Sequence, residues 1–200
     1  MKIALLMDQH LGCRNGSMHF HRYFKKIYET VFFPELQKRG IKQLIQCGDV
    51  FDSRQGVQSQ SLYLAREYFF KPLIKNHIQT YVFLGNHDLA LKNSLRVNSP
   101  SLLLGDYVSS GLLKIYDKPT TIKFPHRDGN FTIDLIPWIC DENREETLEF
   151  IKNSESDICM GHFELNGFKM DSGQVCNFGI DKEILKRYKL PTLKTALIWI

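Results

Sequence analysis

What this chain lacks narrows its function before any motif is read. It has no CxxC pair, and its five cysteines (Cys13, Cys47, Cys140, Cys159, Cys176) are an odd number. A disulfide framework and a structural zinc knuckle are therefore excluded as organising devices, and buried free thiols remain as the reading. No apolar run approaches the roughly 20 residues needed to span a bilayer. Met1-Lys2 leads through a short apolar run straight into Asp8, without a secretory leader pattern, so a cytoplasmic protein with no membrane role is expected. Repeats, low-complexity tracts and linker-like stretches are missing as well. Strong charge of one sign is also absent: the net charge is +4, compatible with a polyanionic partner but not demanding one. Lys25-Lys26, Lys38-Arg39 and Lys186-Arg187 read as solvated helix faces.

What is there suffices for one sizeable core, since 43% of the 200 residues are hydrophobic. Lys2 to Met7 reads as a short, fully buried strand, Lys42 to Cys47 as a second and Thr80 to Leu84 as a third. Between them, Phe20 to Arg39 and Gln58 to Lys75 carry apolar residues at helical spacing, with Gly40 stopping the first helix. Pro34 and Pro72 are expected to kink or distort these helices. Strand–helix–strand–helix–strand with near-continuous apolar strands predicts a parallel sheet covered on both faces. Leu113 to Tyr116, Thr120 to Phe124 and Phe131 to Pro137 then read as consecutive strands, with a turn at His126 to Asn130. Glu142 to Lys152 reads as a charged helix, Ile158 to Met160 as a strand, and Asp181 to Tyr188 as a helix capped by Asp181.

The chemistry lies just past the strand ends. Asp8-Gln9-His10 follows the first, Gly48-Asp49-Val50-Phe51-Asp52 the second, Gly85-Asn86-His87-Asp88 the third, and Gly161-His162 a later one. Parallel α/β sheets bind ligands outside the carboxyl ends of their strands, so one cluster can gather Asp8, His10, Asp49, Asn86, His87 and His162. Singly, Asp-x-His and Gly-His are weak signals, and Gly-Asp-x-x-Asp is often a capped turn. Gly-Asn-His-Asp is far more specific, and the ordered set of four is hard to ascribe to packing. A mixed His/Asp/Asn set without thiolates suits Mn²⁺, Fe²⁺ or Zn²⁺ better than Ca²⁺. A carboxylate shared by two ions makes a phosphoester site, and Asp49 is the natural bridge. His19, His21, His77 and His126 read as surface or packing residues.

Those four motifs resemble the signature of the calcineurin-like metallophosphoesterases. Tyr116 to Thr121, Asp134 to Trp138 and Gly161 to Phe168 narrow the likeness to the nuclease subunits of Mre/Rad and SbcCD double-strand-break repair complexes and their counterparts in T-even-like phages. The likeness covers residues 1–189. It implies a four-layer α/β/β/α sandwich and a two-metal DNA exonuclease or endonuclease of recombination, repair and replication. It further implies two divalent ions, Mn²⁺ first with Mg²⁺, Fe²⁺ or Zn²⁺ as alternatives. Asp8 and His10 would hold one ion, Asn86 and His162 the other, with Asp49 bridging. His87 would protonate the leaving oxygen or stabilise the transferring phosphoryl group, Asp88 would hold the His87 ring by a hydrogen bond, and Asp52 would support the site from behind. The implied partners are double-stranded DNA ends, a Rad/SbcC-type ATPase subunit and, as an open alternative, a second copy of the chain.

One departure stands against this. The family's final Gly-His-x-His does not occur in these 200 residues; residues 190–200 diverge, and the second half of the sandwich is expected to be incomplete and the capping domain to be absent. An inert truncated or split fragment, needing a second polypeptide for the missing ligands, is thus an alternative. A general phosphoesterase on the same fold is another.

Overall fold

The computed structural model describes residues 2–126, 129–169, 173–177 and 179–188. The divergent stretch 190–200 lies outside them. Strand β1 (Ala4–Leu6) leads into the ligand turn and then into helix α1, which runs through Met18–Ile27, Tyr28–Phe32 and Phe33–Arg39. Strand β2 (Gln43–Gln46) follows. Helix α2 comes next, through Ser59–Ala65, Arg66–Phe70 and Lys71–Lys75, and then strand β3 (Gln79–Phe83). Neither proline breaks its helix. Each is preceded by a wide, π-type turn, closed by Phe33 N–H on the Tyr28 carbonyl in α1 and by Lys71 N–H on the Arg66 carbonyl in α2. The wide turn moves the backbone bonds out of phase with the N–H that proline lacks, so the helix continues.

Beyond β3 lie a short hairpin, β4 (Leu89–Leu91) and β5 (Ser94–Asn98), and two short helices, α3 (Ser99–Leu103) and α4 (Gly105–Ser109). None of these was evident in the sequence pattern. Strand β6 (Leu113–Tyr116) completes a parallel sheet of order β1-β2-β3-β6. A second sheet is built from β7 (Thr120–His126), β8 (Gly129–Ile136) and β9 (Ile158–Gly161); β8 pairs antiparallel with β7 and parallel with β9. Helix α5 (Arg144–Asn153) connects β8 to β9.

Period-two alternation sorts the side chains into layers. Leu44 and Val82 face α1 and α2 in the largest core, with Tyr28, Phe32, Tyr68, Phe69 and Phe70. Their neighbours Ile45 and Phe83 face the other way, onto Ile122, Phe124, Ile133 and Leu135 of the second sheet. Ile136 and Cys159 then cover the outer face of that sheet with Ile151 of α5. The layers are helix, sheet, sheet, helix, as the resemblance implied. β1 departs from expectation: among the described residues it lies at the edge of its sheet, and Leu5 is 42% exposed rather than buried. The expected helix at Asp181 is a single 3₁₀ turn, Lys182–Leu185, with the Asp181 carboxylate accepting from Glu183 N–H at 3.0 Å.

Candidate metal centre

The turns after β1, β2 and β3 are stitched into one platform. His10 N–H donates to the Asp49 carbonyl at 3.0 Å and Leu11 N–H to the Val50 carbonyl at 2.9 Å. Asp8, His10 and Asp49 all sit in the left-handed region, with φ of 50°, 45° and 53°. For residues with a Cβ this costs of order 1–2 kcal/mol each. Such strain persists where surrounding structure enforces it, and it clusters at functional sites.

Two glycines let the second and third turns touch. A Cβ on Gly48, whose φ is +88°, would stand 2.7 Å from both Cα and N of Gly85 and 2.9 Å from His162 Nδ1. A Cβ on Gly85 would run into the Asp49 carboxylate and amide. Asp88 is the tie beneath them. Its buried carboxylate accepts from the N–H of Gly85 and of Asp49, both at 2.9 Å, and from Val50 N–H at 3.0 Å. Burial pushes this carboxyl up to about 7, the Asp49 charge adds to the rise, and the amides pull against it. Asp88 therefore does not hold the His87 ring as expected. That ring's Nδ1 lies 2.7 Å from the Asp52 carbonyl, and since a carbonyl only accepts, Nδ1–H donates and Nε2 is left outward.

Asp49 is at the centre of the cluster, 3% exposed. Its Oδ1 accepts from His87 N–H at 2.8 Å. Its Oδ2 lies 3.6 Å from His10 Nε2 and 3.6 Å from His162 Nε2. Two sets of donor atoms gather within 4.8 Å: His10, Asp49 and His87 in one, and Asp8, Asp49 and His162 in the other. Asp49 alone belongs to both. Asn86 stands on the same turn, between Gly85 and His87, half-buried. Asp52 closes the cluster from the other side, its Oδ1 3.3 Å from His10 Nδ1, though not aligned as a hydrogen bond.

These residues fit divalent ions. The 3.6 Å separations are long for a hydrogen bond. They are close to the spacing of two donors that each stand about 2.1 Å from one ion. His162 Nδ1–H donates to the Cys47 carbonyl at 3.2 Å, which fixes the tautomer that aims Nε2 at Asp49. The donors are nitrogen and carboxylate oxygen; the Cys47 thiol, pushed up to about 12 by burial and then by the Asp8 charge, is no thiolate ligand.

Some of this machinery carries no sequence signal. The carbonyls of Cys47 and Asp52 orient His162 and His87, and a backbone carbonyl has no residue type to betray it. Trp138, whose ring centroid is 5.8 Å from that of His162, had one signal: it follows Ile136-Pro137 at the end of an apolar strand. Of the other histidines, His21 is a packing residue, 3% exposed, its ring nitrogens 3.1 Å from Tyr68 Oη and 3.0 Å from Ser61 Oγ.

Comparison with known proteins agrees with this geometry. The chain is 39% identical over 190 residues to exonuclease subunit 1 of Enterobacteria phage T4, covering 94% of this chain and 53% of that protein. It therefore spans about half the length of the curated relative it matches. Residues 1–193 match the calcineurin-like phosphoesterase family. With metal-type donors gathered at the carboxyl ends of a parallel sheet and that match running almost from end to end, the chain belongs to the calcineurin-like phosphoesterase family.

Proposed function

We propose that this chain carries the catalytic half-site of a two-metal DNA nuclease that hydrolyses phosphodiesters at double-stranded ends. The observation that carries the reading is Asp49, a single buried carboxylate common to two donor sets. Identity to a phage exonuclease subunit supports a nucleic-acid substrate and a partner subunit; in this reading the substrate is DNA, the partner an ATPase subunit and the setting recombination and repair. In this reading the chain works in the cytoplasm of the infected host. Among the described residues, no helix is long and apolar enough to cross a membrane.

Asp8, His10, Asp49, Asn86 and His162 would hold the ions, with Mn²⁺ favoured and Mg²⁺, Fe²⁺ or Zn²⁺ as alternatives. When bound, two such ions polarise the phosphoryl oxygens and lower the pKa of a nucleophilic water. The protein's own part is positional and protolytic. His87, with Nδ1–H committed to the Asp52 carbonyl, presents Nε2 to the leaving oxygen and delivers a proton there. Asp88 fixes the turn carrying His87 by gathering three amides, and so acts as a positioning residue. Asp52 orients His87 with its carbonyl, and its carboxylate stands beside His10.

The test is hydrolysis of linear double-stranded DNA by the purified chain in Mn²⁺, with EDTA and His87→Ala as controls. Metal-dependent cleavage that the substitution abolishes is the expected result. Cleavage left intact by His87→Ala would end this mechanism. A second reading is that these 200 residues, which do not contain Gly-His-x-His and span about half of the relative's length, are inert until that motif is supplied. Folded, metal-loaded protein without cleavage, restored by adding the second half of a related subunit, would establish it.

A further inference from the structure

We propose that Trp138 is a positioning residue for His162, fixing its imidazole across the boundary between the two sheets. The proposal deepens the two-ion reading and rests on His162 being a ligand.

His162 is the one member of the two donor sets that comes from the second sheet, following β9; Asp8, His10, Asp49 and His87 follow strands of the first. Its ring is enclosed from several directions. The Cys47 carbonyl takes Nδ1–H at 3.2 Å, and Gly48 leaves the space that a Cβ would fill at 2.9 Å. The Trp138 indole packs edge-on against the ring at a centroid distance of 5.8 Å and an interplanar angle of 64°. An imidazole held by one hydrogen bond can still swing about its Cβ–Cγ bond. An aromatic ring set against it removes that freedom.

Trp138 is itself anchored to the first sheet. Its N–H donates to the Leu84 carbonyl at 2.7 Å, on the residue just before Gly85-Asn86-His87. Its carbonyl accepts from Asn143 Nδ2 at 3.0 Å, while Asn143 Oδ1 accepts from Cys140 N–H at 2.8 Å. Its side chain packs with Leu84, Leu89, Leu95 and Cys140, a small core separate from the two large ones. The indole thus carries the position of the Gly-Asn-His-Asp turn over to His162. Loss of groups that orient a metal ligand costs about 10–100-fold in affinity.

The test uses the full chain with Trp199→Phe, which leaves Trp138 as the single tryptophan. Mn²⁺ is titrated while indole emission and free Mn²⁺, by electron paramagnetic resonance, are followed together. Saturable quenching that tracks Mn²⁺ uptake is expected. Trp138→Leu should weaken uptake about 10-fold or more, and Trp138→Phe, which keeps an aromatic face, should recover most of it. A folded Trp138→Leu chain that takes up Mn²⁺ as well as its parent would overturn the proposal. Should that variant not fold, the parent decides: uptake without quenching also overturns it. Failure of the underlying reading looks different. The parent, with Trp138 intact, would take up no Mn²⁺, or His162→Ala would leave uptake unchanged, and the proposal would fall with it.

Discussion

Gly48→Ala is the sharpest single perturbation of the platform. The new methyl meets two backbone atoms of Gly85 at 2.7 Å, and backbone there cannot turn aside as a side-chain end could. Two costs add. Holding alanine at φ +88° costs about 1 kcal/mol. Forcing a methylene into filled space costs about 1–3 kcal/mol. The sum is about 3 kcal/mol, or a fall in Tm of about 6–12 °C for a chain of this size. Gly40→Ala supplies the control, since its φ is +65° but nothing lies within 4 Å of the added Cβ. It should lose only the conformational part, about 1 kcal/mol. Urea unfolding in EDTA measures both without involving metal. Because the methyl also approaches His162 Nδ1, Mn²⁺ uptake should weaken in Gly48→Ala and stay unchanged in Gly40→Ala. Equal losses in the two variants would refute the argument that the two ligand turns are in backbone contact.

Other predictions test separate parts of the molecule. His21, held below its ordinary 6.5 by burial, binds protons less readily folded than unfolded, so stability should be complete above that pH and be lost as pH falls below it. His21→Gln should flatten this loss in melts between pH 5 and 8, and an unchanged slope would assign the loss elsewhere. Tyr188→Phe removes the hydroxyl that donates to Asp134 Oδ2 at 2.8 Å, and should cost about 1.5–3 kcal/mol in urea unfolding without altering Mn²⁺ uptake. Mn²⁺ at a hundred times its Kd should raise unfolding free energy by about 2.7 kcal/mol per site, and Asp49→Ala should abolish the rise. A Tm indifferent to Mn²⁺ would contradict the fit of these donors to divalent ions.

The strand ends were legible because their chemistry is written in residue types. Apolar runs closed by Asp-x-His, Gly-Asp and Gly-Asn-His-Asp pointed to candidate ligands before any geometry was known, and the fold gathers Asp8, His10, Asp49, His87 and His162. Orientation was not legible. The resemblance implied a bond between the side chains of Asp88 and His87, yet the turn aims the carboxylate inward at three amides. The two prolines do distort their helices, but as a wide turn before each rather than as a break, and that form depends on hydrogen-bond phase, which composition does not encode. The β4–β5 hairpin escaped notice because its strands are short and interrupted by polar residues. β1 looked like an interior strand from its apolar run alone; whether a strand has one neighbour or two is a property of the sheet, not of the segment.

That His162 belongs to a different sheet from its partners has a thermodynamic corollary. The donor set of Asp8, Asp49 and His162 is gathered only while the faces bearing Ile45 and Phe83, and Ile122 and Leu135, are docked. Ion occupancy and sheet docking are therefore linked functions, and linkage is reciprocal. Whatever loosens that seam weakens the hold on metal by the same free energy with which metal tightens the seam. Ion depletion should then accelerate amide exchange in β8 and β9 ahead of the helical layer over the first sheet, making the interior seam of the sandwich a gauge of the occupancy of its rim.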